Sequence, residues 1–195
     1  QWKVNGNNVG TNSDNYTNSS LLDGDMVTCE LSSCGSVIGL SNSVEISRGT
    51  TTTWLGTSSD WFSYANWTAG IPNKVRNAEI IATAPTMPII TADADCKSIT
   101  IGVGASLTID ASNTLTVGGA WKNQGTFTPN TSTVVMQSNC DASSIAGSTG
   151  FYNLTIDNLD VVSVSSGTVQ MIGTLSLVNG TFETNDAVEL ISDAN

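Results

Sequence analysis

The sequence predicts an all-β fold, and three observations predict it. Only 12% of the 195 residues are charged, and polarity comes instead from Thr, Ser, Asn and Gly. That mixture suits strands and tight turns. No segment carries a sustained 3.6-residue apolar period built from helix formers. The second half of the chain is a series of very short apolar alternations, "SITIG", "SLTID", "TLTVGG", "GTFTP", "TVVMQ", "NLTID", "VVSVS", "TVQMIG", "TLSLVNG", "GTFETN" and "AVELIS".

The first element, residues 1–47, reads as part of an immunoglobulin-like β-sandwich. "QWKVNGNNVG" is strand, Asn-Gly turn, strand. "LLDGDMVTCELSS" turns at Asp23-Gly24 and then alternates Val27, Cys29 and Leu31 against Met26, Thr28 and Glu30. "SNSVEIS" closes it with a short strand. A Trp on an early strand, a Cys on a later one and short, evenly spaced strands form the pattern of that fold.

Tyr16, Asp23, Gly24, Asp25, Val27, Cys29 and Cys34 extend this pattern to a family resemblance. The segment resembles the second half of the Ig-like (PKD-like) repeats of large secreted surface proteins of Bacteroidota. The resemblance implies a cell-surface, extracellular protein exported by the type IX route. It implies that the opening strands of the sandwich come from a preceding segment or a neighbouring copy. A half sandwich leaves an open strand edge and an uncovered apolar face.

The second element, residues 48–95, is a linker and an aromatic cap. "WLGTSSDWFSYANW" concentrates Trp54, Trp61, Phe62, Tyr64 and Trp67 in fourteen residues. The cluster stands directly before the short alternations, where the open end of a stacked β-structure needs covering, and Trp is the largest apolar plug. The alternative use is a row of aromatic platforms for stacking sugars. Trp54, Gly56, Asp60, Trp61, Asn66, Trp67, Gly70 and Pro72 form W-x-G-x-x-x-D-W…N-W-x-x-G-x-P. This resembles a segment that introduces a β-solenoid-like region in the same class of secreted proteins. "NAEIIA", residues 77–82, is the one good strand here.

The third element, residues 96–195, reads as a parallel β-helix or solenoid. Strands of about three residues are too short for a sandwich. They suit coils in which each neighbour supplies the hydrogen bonds. Alternation places Leu107, Ile109, Leu115, Val117, Leu154, Ile156, Leu175 and Leu177 inside, with Thr108 and Thr155 outside. "GTFTPNTSTVVMQS" and "GTFETNDAVELISD" read as a repeated coil pair. The solenoid is expected to continue in a longer polypeptide.

Chemistry is constrained by what is missing. The chain has no His, which removes His-based triads and general bases. Paired carboxylates are the remaining route, but Asp110, Asp141, Asp157 and Asp160 have only Lys97 and Lys122 as nearby cations, and most sit at turn positions. No catalytic or cofactor-binding residue is assigned. Calcium is compatible with Asp and Asn oxygens, although no DxDxDG loop appears. A structural zinc site lacks both His and a CxxC pair. The net charge of −11 disfavours nucleic acid and anionic membranes, and no apolar run is long enough for a membrane span.

Four cysteines in a Thr/Asn-rich, Lys-poor chain fit an oxidising setting. Cys29–Cys34 and Cys96–Cys140 are the most natural pairings, with reduced, buried thiols as the alternative; connectivity is not readable from spacing. The expectation is a non-catalytic stalk, adhesin or filament segment whose partners are neighbouring domains or other copies. The rivals are a carbohydrate-binding module, with surface glycans as partner, and a secreted polysaccharide enzyme.

Overall fold

The computed structural model describes residues 1–18, 21, 25–46, 51–138 and 141–191. They form two compact units, Gln1–Thr50 and Thr51–Asn195. The Asp23-Gly24 turn expected from the sequence lies outside the described residues.

The first unit is one antiparallel sheet. Its strands are β1 (Trp2–Val4), β2 (Asn7–Val9), β3 (Met26–Ser33), β4 (Ser36–Leu40) and β5 (Val44–Glu45), ordered β2-β1-β3-β4 with β5 also on β3. Asn5-Gly6 and Cys34-Gly35 close the two hairpins, and all four residues have positive φ. That is the turn whose twist matches the flanking strands. Trp2 faces Cys29 and Val4 faces Val27, so these four side chains share one side. Trp2 stacks on Tyr16 with ring centroids 5.9 Å apart, and its Nε1 donates to Ser13 O at 2.9 Å. Lys3 and Glu30 pair at 2.6 Å.

Of the half sandwich expected here, these residues show the coarser part, an antiparallel sheet with uncovered apolar residues. They give a single sheet, and none of its described residues is buried. Leu31, Val37, Leu40 and Val44 are exposed because no second sheet lies on them among the described residues.

The second unit is a parallel β-solenoid of about six turns. It is built from β6 (Thr51–Thr53), β7 (Asn77–Ile80), β8 (Ile89–Ile90), β9 (Ala94–Cys96), β10 (Ile99–Ile101), β11 (Ser106–Ile109), β12 (Thr114–Val117) and β13 (Trp121–Asn123), followed by β14 (Thr126–Thr128), β15 (Thr133–Ser138), β16 (Ser143–Ala146), β17 (Thr149–Phe151), β18 (Asn153–Ser166), β19 (Val169–Met171), β20 (Leu175–Glu183) and β21 (Val188–Leu190). Three ladders of parallel strands run up the coils. The first is β6-β7-β10-β13-β16 and continues into the second half of β18. The second is β8-β11-β14 with β17-β19-β21. The third is β9-β12-β15, the first half of β18, and β20.

The strands from β7 to β19 carry the alternation that puts their apolar residues inside. β11 and β12 alternate half-buried and buried positions, with Leu107, Ile109, Leu115 and Val117 at 0% exposure. Leu154 and Ile156 are buried two rungs beyond Leu115 and Val117. Trp121, Phe127 and Phe151 form an aromatic stack inside the coils, Trp121 lying edge-on to Phe127 at 4.8 Å and to Phe151 at 5.1 Å. Polar side chains enter the interior at corners, where they bind the turning backbone. Asn158 Nδ2 donates to Ser143 Oγ at 2.8 Å, and its Oδ1 accepts from Asp160 N at 2.9 Å. Asn123 does the same between Ser148 O and Gly125 N. Gly147 completes that corner: its φ is +84°, and a Cβ there would overlap Asn123 O.

Two expectations are corrected. The coils begin at β7, before Cys96; the loop between β7 and β8, with Pro85 and Pro88, disguises a first coil as a linker. Leu177 is 65% exposed although it faces Ile156, because no described rung lies beyond it. Leu175 is half-buried for the same reason.

Candidate functional site

The aromatic cluster is the site the sequence singles out. Backbone pairing puts it on the end of the coils. β6 pairs with β7, Trp54 N donates to Glu79 O at 2.8 Å, and Ile89 N donates to Ser59 O at 2.8 Å. The segment therefore occupies a rung position on the first two ladders.

Its indoles turn inward. Trp54 and Trp61 are fully buried and Trp67 is 2% exposed, in one apolar cluster with Ala78, Ile80 and Ile90. Trp67 packs edge-on against Trp54 at 4.9 Å and Trp61 at 4.8 Å. Such T-shaped pairs add to the burial of apolar area. Trp54 Nε1 donates to Thr86 O at 2.6 Å and Trp67 Nε1 to Trp61 O at 2.8 Å. Phe62 is half-buried. Tyr64 alone of the five stands out in solvent, at 72% exposure. The row of sugar-stacking platforms is thus not formed by the tryptophans, whose faces are against each other and the first coil.

The remaining residues of the pattern hold this plug. Asn66 is buried in a 3-10 turn and uses its whole amide: Oδ1 accepts from Thr57 Oγ1 and Ser58 N, and Nδ2 donates to Ser58 Oγ at 2.9 Å and Asp60 O at 2.7 Å. Asp60 Oδ1 caps Phe62 N at 2.9 Å. Gly56 has φ +69°, and a Cβ there would lie 2.4 Å from Thr86 O. Sequence reasoning missed buried Arg76, whose Nη1 donates to Ile71 O at 2.9 Å. An isolated basic residue in a surface-like stretch carries no signal of burial.

A second feature lies on the corner that follows the third ladder. Register stacks Lys97, Gly118, Gln137, Asp157 and Asn179 in one column. Gly118 leaves a notch in it, a hollow of about 260 Å³ lined by Lys74, Cys96, Lys97, Thr116, Gly118, Gln137, Ser138 and Asp141. Lys97 crosses the notch and its Nζ meets Asp141 Oδ2 at 2.9 Å. Asp157 accepts from Asn179 Nδ2 at 2.6 Å and from Gln137 Nε2 at 2.8 Å. These bonds, Asn179 first, hold its carboxyl below the ordinary value. Lys122 stands on the first ladder, in β13, whereas Asp157 stands on the third. Among the described residues no three of His, Cys, Asp and Glu converge on a common point.

The cysteines do not form the expected local bridge. Cys29 lies within β3 and Cys34 in the turn that ends it, and both are free. Five residues along an extended strand separate two Cα atoms by well over the ~7 Å limit of a disulfide. Cys96 is also free and faces the core; Cys140 lies outside the described residues. Burial, with a smaller contribution from Asp95, pushes the Cys96 thiol far up, so it stays protonated and unreactive.

A family model described as a domain of unknown function (DUF8693) matches residues 53–190. The chain belongs to that family. No curated protein and no solved structure matches the chain. The DUF8693 span starts one residue before Trp54 and ends at Leu190, the last residue of β21. It is the capped solenoid, without the first unit. No helix among the described residues is long and apolar enough to cross a membrane.

Proposed function

We propose that the chain is a non-catalytic structural and adhesive segment of a large extracellular bacterial surface protein or filament. The observation that carries this reading is the unequal pair of solenoid ends. One end is sealed by Trp54, Trp61 and Trp67; the other presents Ile172, Leu177, Val178, Leu190 and Ile191 to solvent. A stack sealed at one end whose last described strands carry exposed apolar residues at the other is suited to stacking and extension. The uncovered apolar residues of the first unit fit the same reading. Its sheet is half of an Ig-like sandwich completed by strands of a neighbouring domain or another copy. Export by the type IX route and a place on the cell surface follow from the sequence resemblance.

Labelling intact cells of the source bacterium with an antibody against residues 51–191, together with protease shaving, tests the reading. Surface label that shaving removes is expected, and an antigen found only after lysis overturns it. A glycan array is the companion measurement. Selective binding lost in Tyr64→Ala would replace the scaffold reading by a carbohydrate-binding module, because Tyr64 is the exposed aromatic of the cap.

A further inference from the structure

The outer side of the third ladder carries the taller of two Thr/Ser arrays; on the second ladder Ser106 and Thr108 stand beside Thr126 and Thr128 over two rows only. Thr114, Thr133 and Asn153 stand in one column, with Thr174 next: its backbone N–H donates to Asn153 Oδ1 at 2.9 Å. Thr116, Val135, Thr155 and Ser176 stand in the adjacent column. The register between β12, β15 and the first half of β18 is unbroken. The result is an array of four rows and two columns, repeating about every 4.8 Å up the coils and about every 6.6 Å along each strand.

The chemistry of this array is narrow. Six of its eight positions are Thr or Ser, Val135 has the shape of Thr, and Asn153 supplies an amide. β-Branched side chains are restricted at χ1, so the Thr methyls and hydroxyls are held close to the spacing of the backbone lattice. The hydroxyls of Thr114, Thr116, Thr155 and Ser176 make no hydrogen bond to another described residue. None of the eight positions is charged or aromatic; Asp95 and Asp157 stand at the borders. A charged polymer or ion has nothing to pair with here, and a sugar chain has no ring to stack on. What remains is a partner that itself presents a regular lattice of hydrogen-bonding oxygens.

We propose that this face binds ice. The two repeats approach the oxygen repeats on a prism face of hexagonal ice. Each Thr offers a methyl that shelters ordered water and a hydroxyl that joins it as donor or acceptor. The inference deepens the adhesive reading by naming what is adhered to, and its test involves no cell, so either can fail without the other.

The test is partition of the fluorescently labelled 195-residue chain between a slowly growing ice front and the liquid, with inhibition of ice recrystallisation as a second readout. Enrichment in ice is expected. Thr116→Tyr and Thr155→Tyr are expected to reduce enrichment at least tenfold at an unchanged unfolding midpoint. Thr126→Tyr, on the second ladder, is expected to leave it intact. Val135→Thr completes the array and is expected to raise recrystallisation inhibition severalfold, which decides the matter if the Tyr variants do not fold. Exclusion of the wild-type chain from ice overturns the proposal, as does equal loss from Thr126→Tyr. Retention on crystalline chitin or cellulose without enrichment in ice overturns it in favour of a polysaccharide surface.

Discussion

The two units use the same vocabulary of Val, Thr, Ser and Asn in short strands, yet only one has an interior. In the first unit every described residue keeps some exposure. In the second, each coil buries residues such as Ile109 and Ile156 almost completely. Hydrogen-bonded strands alone do not create a core. What differs is that a coil is covered on both sides by other coils, or by the cap, while the sheet of the first unit is covered by a few loop residues around Tyr16. Burial follows from what lies against a strand more than from its own composition.

The strongest way to break this comparison is to put a charge on each face of one solenoid strand. Ile109→Asp buries a carboxylate with no partner and is expected to cost at least ~4 kcal/mol of the solenoid's stability. Thr108→Asp, one residue away and facing out, is expected to stay within about 0.5 kcal/mol. Urea unfolding measures both; similar losses would mean that the inside–outside assignment is wrong. Trp61→Ala should cost roughly 3 to 5 kcal/mol by opening the capped end, read in the same experiment. A smaller effect is expected of Gly56→Ala, about 1–3 kcal/mol, because φ is positive and Thr86 O stands in the way.

Cysteine labelling sharpens the contrast without any substitution. Cys34 is exposed and Cys29 partly so, while Cys96 is buried with its thiol held protonated. Peptide mapping after iodoacetamide treatment should find Cys34 and Cys29 modified in the native protein and Cys96 modified only in denaturant. Rapid native labelling of Cys96 would mean that the coils breathe as freely as the sheet.

The smallest expected effect is on pH. Asp157 has a native pKa below its ordinary 3.8, so its contribution is fully present above that value. It is lost as pH falls through the lower native value. Because the group faces solvent, the change should be slight. The stability difference between wild type and Asp157→Asn is expected to shrink as a urea-melt series is carried down into that acid range. A difference that grows on acidification has the wrong sign and would remove the bonds from Asn179 and Gln137 as its cause.

Much of the solenoid was legible because a period of two survives in every coil. "SLTI", "TLTV" and "NLTI" each declare which side is inside, and Leu107, Leu115 and Leu154 lie there. The cap was legible because three large apolar residues stood together where an end needed covering. Two kinds of information were not local. The length of β18, which belongs to two coils at once, depends on how a corner at Asn158 bends. The exposure of Leu177 depends on a neighbour, which its own alternation does not report. The first unit was legible only coarsely, for a third reason: a Trp, a Cys and evenly spaced strands describe one sheet as well as they describe half of a sandwich.

The tryptophan cap also gives the solenoid a direction in time. It is the N-terminal end of the stack, so it leaves the ribosome before any coil it covers. β6 and the cap residues that pair with β7 and β8 offer a finished template when the first coil arrives, and each coil then serves the next. During synthesis growth has a direction: the cap is the first rung offered, and each coil can be added to the one before it.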